Sequence, residues 1–274
     1  FSDGTSSPYL DILEARLWAD WGKIERGMRV LKKKATRKRM SIPVLLYHGV
    51  SRFERGDMMS VPRKNFLEQM VAIKTAGYES ISIRQLAQYW DGKGALPDKP
   101  IIVTFDDARA DAFINGDPVL QESGLRATMF VHLAAGFKRS RYYAGPDLLR
   151  QWNKSGRWEI QAHSDKAHEL IPVDAAGSRG HFLANRTWVA HKRRMETVEE
   201  FAQRLDSDFR GARDKLQALF PETKMHSYAF PFGDMGQADY SNTPEAPALN
   251  WRAVHKYFKF AFTQDAYGFN RVPT

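Results

Sequence analysis

The chain has 274 residues, 43% apolar and 12% aromatic, enough for one large α/β domain and an appendage. It has no cysteine, which excludes a disulfide framework and a cysteine-ligated zinc site, and no apolar run long enough for a membrane-spanning helix. The net charge is +9, of which residues 1–40 contribute +5, leaving +4 over the remaining 234 residues.

In chain order, the first predicted element is a helix. Leu10, Leu13, Leu17, Trp21, Ile24, Met28 and Leu31 are spaced by threes and fours, one stripe of an amphipathic helix. The basic tract 29–39 offers a contact to an anionic membrane surface, an acidic glycan or a protein, with no nucleic acid expected as partner. A solvated helix end explains it equally well. Residues 32–40 read as a charged linker, so 1–40 stand apart from a domain at 41–274. The chain begins at Phe1 rather than Met, so a fragment or processed form is expected, with truncation at the C-terminus as well.

From Ser41 the pattern changes. Seven short apolar or β-branched segments recur at 42–47, 78–83, 101–105, 127–132, 159–162, 227–231 and 259–263. Helical patterns separate them at 63–76, 84–90, 108–123 and 146–154. Another follows on Val198, Phe201, Leu205, Phe209, Ala212, Leu216 and Leu219. This alternation predicts an α/β fold: a distorted, incomplete (β/α) barrel of about seven strands with an N-terminal helical extension. Residues 172–195 have no firm period and read as an insertion rimming the active face. There is no internal repeat.

Reactive residues in such folds lie where strands end. His48, Asp106, Asp107, His132, His163 and Pro231 all fall at predicted C-terminal strand ends. Asp106 and Asp107 are adjacent at the mouth of a buried strand, where like charges raise each other's pKa. A metal ion relieves that repulsion. One carboxylate with His163 and His168 makes a catalytic zinc ligand set that keeps a position open for water, and the second carboxylate is then free as a general base. A helix N-cap with a charged first turn would also place two acidic residues here, but it leaves the two histidines unexplained.

The residues resemble the polysaccharide deacetylases of carbohydrate esterase family four, the NodB-homology domain. Three motifs carry the resemblance: Thr104-Phe105-Asp106-Asp107, the pair His163 and His168, and Phe230-Pro231-Phe232-Gly233. Leu46-Tyr47-His48-Gly49-Val50 and the histidine spacing of five resemble the branch acting on poly-β-1,6-N-acetylglucosamine. The resemblance implies that Asp107, His163 and His168 bind one divalent ion, with zinc expected, and that Asp106 is the base. It implies that the Phe232 amide faces the oxyanion and that Pro231 and Gly233 shape the substrate site. The family's Arg that orients the base is replaced by Ala229, with Arg271 as a substitute. The family's Leu-x-His motif for the general acid is not visible, and His48 is the candidate. Trp188, in the insertion, is expected to face the sugar.

His132 is expected to be a satisfied strand-end residue, and His181, His191, His226 and His255, which lack ligand spacing, are expected at the surface. The expected function is metal-dependent N-deacetylation of a polysaccharide, in a secreted, periplasmic or cell-surface setting. The alternatives are an O-acetyl esterase using the same site and a catalytically silent glycan-binding domain.

Overall fold

The structure, a computed structural model, describes residues 42–53, 59–133, 141–237 and 241–264, and the backbone of 15–18. One sheet of eight strands organises it. Its strands are β1 (Ala15–Trp18), β2 (Pro43–Tyr47), β3 (Glu79–Ser80), β4 (Pro100–Phe105), β5 (Ala127–His132), β6 (Trp158–Ser164), β7 (Ser227–Ala229) and β8 (Phe260–Phe262). The order is β1-β2-β4-β5-β6-β7-β8, with β3 on the start of β4, and all pairs are parallel. A helix follows each strand from β2 to β7: α1 (Arg63–Thr75), α2 (Ile83–Trp90), α3 (Ala110–Ser123), α4 (Pro146–Lys154), α5 (Val198–Leu219) and α6 (Ala246–Val254). This is the curled, incomplete (β/α) barrel that the alternation implies.

Strands β2, β4, β5 and β7 are buried on both faces, which accounts for their apolar runs. Their period of two divides two cores. Leu45, Val103, Phe105, Met129, Trp158 and Ile160 pack outward under the helices. Val44, Ile102, Phe130, Ala229 and Phe262 pack together on the other face, within the curl of the sheet. The same parity puts Asp106, one step past β4, and His132, at the end of β5, on the inner side. The β5–β6 register shifts so that Val131 pairs with Ala162 but His132 with Ser164, leaving His163 between them. Such irregularities re-aim a side chain beside a functional site.

Helix α5 starts with a capping box: the Glu200 N–H donates to Thr197 Oγ1, and the Thr197 N–H to the Glu200 carboxylate. It also braces the chain before His168. Asp208 is buried and accepts from the N–H groups of Lys166 (2.6 Å) and Ala167 (3.0 Å) and from the Tyr228 hydroxyl (3.2 Å). Burial nevertheless pushes its carboxyl up to about 6. An unfolded Asp titrates near ~3.9. The folded state therefore holds the extra proton between these values, and the stability it gives is present at acid pH and lost as pH rises through about 6. Denaturant unfolding between pH 4.5 and 7.5 is expected to show the wild type losing on the order of 2 kcal/mol relative to Asp208→Asn. Parallel pH curves for the two proteins would contradict this.

Two sequence expectations change. Within the segment 10–31, Ala15–Trp18 forms a strand and not part of a helix; it pairs with β2, whose backbone would otherwise present an open edge. The rest of that segment, and the basic tract 29–39, lie outside the described residues. Helix α6 was not anticipated, although Pro247 at its start is a usual helix-opening signal.

Candidate active site

Asp106 and Asp107 end the central strand β4. The Asp106 N–H donates to the Tyr47 carbonyl (2.9 Å), which extends the β2–β4 ladder by one residue and sets His48, itself buried, beside the acid pair. The chain then turns sharply: Asp107 and Ala108 have φ of 73° and 54°. Two successive left-handed residues that are not glycine cost on the order of 1–3 kcal/mol each, a strain found chiefly at functional sites. The turn explains why α3 starts at Ala110, two residues later than its apolar pattern suggests.

Asp106 is fully buried, and Gln264 Nε2, just past β8, donates to its Oδ2 at 3.2 Å. This neutral amide stands at the base position where the resemblance implied an arginine. Arg271 lies outside the described residues. Gln264 was missed because nothing links it to Asp106 in sequence, 158 residues away.

Asp107 Oδ1 lies 3.0 Å from His168 Nε2 and 3.4 Å from His163 Nε2. It is buried, and no hydrogen bond of good alignment reaches it. Two donors on one tetrahedral ion at about 2.0–2.1 Å stand about 3.3–3.4 Å apart. The spacing and missing alignment thus fit a divalent ion between these atoms. The His163 Nδ1–H donates to the Ala229 carbonyl (2.8 Å), the contact that fixes a ligating imidazole with its Nε2 lone pair turned inward. Ala229 thereby serves the site through its backbone. Burial raises the Asp107 pKa, but His163 and His168 together outweigh it and hold the carboxyl well below the usual range. Burial likewise lowers His163, and Asp106 and Asp107 reverse that to a net rise.

His132 departs from expectation. It is almost fully buried, and neither ring nitrogen has a hydrogen-bond partner. Its ring stacks on His168 at 4.4 Å, and the Tyr143 ring meets it edge-on at 5.3 Å. Burial, then the neighbouring His168 and His163, push its pKa down to about 3, so it stays neutral.

Opposite, Pro231–Gly233 form a tight turn in which Phe232 has φ 59°. Pro231 is buried; the Phe232 ring is 40% exposed, tilts onto His168 (4.8 Å) and stacks on His181 (4.3 Å, 7°). His181, expected at the surface, is held here because its Nδ1–H donates to the buried Asp234 carboxylate at 2.6 Å. An acidic residue directly after the Pro-Phe-Gly turn was the available signal. The insertion carrying His181 is anchored on α5, where Arg204 pairs with Glu196 (2.8 Å) and donates to the Phe182 and Asn185 carbonyls (2.7 Å each). Trp188 is half-buried in a two-stranded ribbon opposite Met195; among the described residues, the aromatic rings packed on the histidine cluster are Phe232 and Tyr143.

The arrangement has the parts of a hydrolytic centre: a buried carboxylate held by an amide, a carboxylate–imidazole cluster, and a strained turn over it. The polysaccharide deacetylase family model matches residues 93–243, more than half of the chain. A poly-beta-1,6-N-acetyl-D-glucosamine N-deacetylase of Escherichia coli is 25% identical over 189 residues, 64% of this chain and 28% of that protein. The chain thus spans under a third of that relative's length. A de-N-acetylase from Aggregatibacter actinomycetemcomitans superposes with a TM-score of 0.69 at 19% identity, covering 84% of this chain and 90% of the other. The BpsB deacetylase domain from Bordetella bronchiseptica superposes with a TM-score of 0.64 at 17% identity, covering 81% and 88%.

Proposed function

We propose, from the premise that this chain belongs to the polysaccharide deacetylase family, that it is a metal-dependent hydrolase removing acetyl groups from the N-acetylglucosamine units of a polysaccharide. The observation that carries this reading is Asp107 Oδ1 at 3.0 and 3.4 Å from two imidazole nitrogens, with Asp106 buried next to it. Asp107, His163 and His168 would hold the ion, with zinc the expected metal. When bound, such an ion lowers the pKa of water toward neutrality and polarises a carbonyl.

The rest follows from the chain's own groups. Asp106, oriented by Gln264, takes the proton of the attacking water. The Phe232 N–H, held in its left-handed turn, donates to the developing oxyanion, a contribution of roughly 3–4 kcal/mol in comparable sites. Pro231 and Gly233 fix that turn. His48, at the end of β2, protonates the departing amine. The Phe232 face and Trp188 on the insertion are assigned to the sugar. We propose a working location to match such a polymer: the periplasm, the cell surface or outside the cell.

For the substrate we propose β-1,6-linked N-acetylglucosamine. The name of the Escherichia coli relative, the spacing of five between the histidines and the Tyr47-His48 strand end support it. A site that hydrogen-bonds one hydroxyl pattern rejects another steeply, because buried donors are left unpaired. kcat/KM on matched β-1,6 and β-1,4 oligomers, read by loss of acetyl mass, is expected to favour the β-1,6 series by tenfold or more, an order-of-magnitude expectation. Faster turnover of the β-1,4 series would overturn the linkage assignment. Faster turnover of an acetyl ester than of either would make the domain an O-acetyl esterase, and a folded, metal-loaded protein that turns over none of them would make it a glycan-binding domain.

A further inference from the structure

We propose that His132 is a further protein ligand of the metal, so that one carboxylate and three imidazoles would hold the ion, a set that keeps a place for water through five-coordination. The proposal rests on the metal-dependent reading of the same site.

The first ground is position. Asp107, His132 and His168 can each offer a donor atom such that these atoms all lie within 4.8 Å of one another. His132 is brought there by the inner-face parity of β5, and its ring contacts include both assigned imidazole ligands, His168 at 4.4 Å and His163 at 6.3 Å between centroids. The second ground is an unmet need. Buried polar groups in native proteins are nearly always hydrogen-bonded, yet both His132 nitrogens are buried without a partner, in a residue 1% exposed. A leucine or phenylalanine would fill that volume without the penalty. What an imidazole adds is a nitrogen lone pair, a donor suited to a cation.

The third ground is the contrast with His163. There Nδ1 is anchored on the Ala229 carbonyl at 2.8 Å, so its orientation is fixed before any ion binds. His132 has no such anchor: neither of its nitrogens is hydrogen-bonded, and packing alone holds its ring. It shares Asp107 and His168 with the three-ligand set. The two sets overlap in two of three donors, and this predicts a signature that a three-ligand site lacks: removal of His163 alone leaves a carboxylate and two imidazoles in place.

The test is zinc affinity by chelator competition on the full chain, with X-ray absorption to count coordinated imidazoles. His132→Phe keeps a ring to stack on His168 and removes both nitrogens. It is expected to fold, to lose one coordinated imidazole and to lower zinc affinity by tenfold or more. His163→Ala is expected to retain stoichiometric zinc at lowered affinity, and His132→Phe combined with it to lose on the order of a further tenfold. A wild-type protein that binds zinc, with His132→Phe within twofold of its affinity and the imidazole count unchanged, overturns this proposal alone. A wild-type protein that binds no divalent ion overturns the metal-dependent reading as well. If His132→Phe does not fold, His132→Gln read by the imidazole count decides the matter in the same way.

Discussion

Asp106→Asn is expected to abolish turnover of N-acetylglucosamine oligomers and to leave the metal bound. Asp106 is buried, its backbone is tied to Tyr47, and Gln264 donates to its Oδ2 at 3.2 Å. An asparagine fits that space but cannot take a proton from water, and loss of a general base costs roughly 10²–10⁴ in rate. Asp107→Asn is expected to act differently. Asp107 Oδ1 is the atom between the two imidazoles, at 3.0 and 3.4 Å, and the substitution removes the negative charge that holds a cation there. Its zinc content should fall, with activity falling in step. Metal analysis of both purified variants beside kcat/KM separates the roles. Equal metal loss in the two would show that the carboxylates act as a unit and would end this division of labour.

Gly233→Ala is expected to damage stability and turnover together. Gly233 has φ +66°, a conformation that costs an L-residue roughly 1–2 kcal/mol. An added Cβ would lie 2.4 Å from Gln264 Cβ, 2.6 Å from its backbone N and 2.8 Å from its Cα. Two of these are backbone atoms, so no rotamer change relieves the clash. The end of β8 must move, and the Gln264 amide moves with it, away from Asp106. Overpacking of this kind costs roughly 1–3 kcal/mol beyond the backbone term, and a total of about 3 kcal/mol lowers Tm by roughly 6–12 °C in a domain of this size. Gln264→Ala isolates the second effect: it removes the hydrogen bond to the base without the clash. It is expected to lower Tm by less than Gly233→Ala does and to lose on the order of tenfold in kcat, since a hydrogen bond to a charged group is worth about 1.5–3 kcal/mol. Wild-type activity in Gln264→Ala would show that Asp106 is held by other groups. Wild-type melting in Gly233→Ala would show that the turn has slack.

What the sequence determined by itself is what near neighbours and short periods encode. Each strand from β2 to β8 was legible as an apolar or β-branched run, and α5 as a stripe of threes and fours, because burial of one face imposes those periods on the chain. Asp106-Asp107 and the pair His163 and His168 were legible because each motif is local and each sits at a strand end. Left to the tertiary structure were contacts between residues far apart in the chain. Gln264 meets Asp106 because curling of the sheet brings the end of β8 over the end of β4. His181 joins the wall of the site because Asp234, 53 residues on, receives its proton donor. His132 reads like any strand-end residue until the packing shows that nothing is paired with its nitrogens. Ala15–Trp18 carries a helical period and still forms a strand, because backbone pairing along the open edge of β2 outweighs local propensity. Local periodicity fixes which face of each element is buried; only the curl of the sheet decides which distant side chains share the space at its mouth.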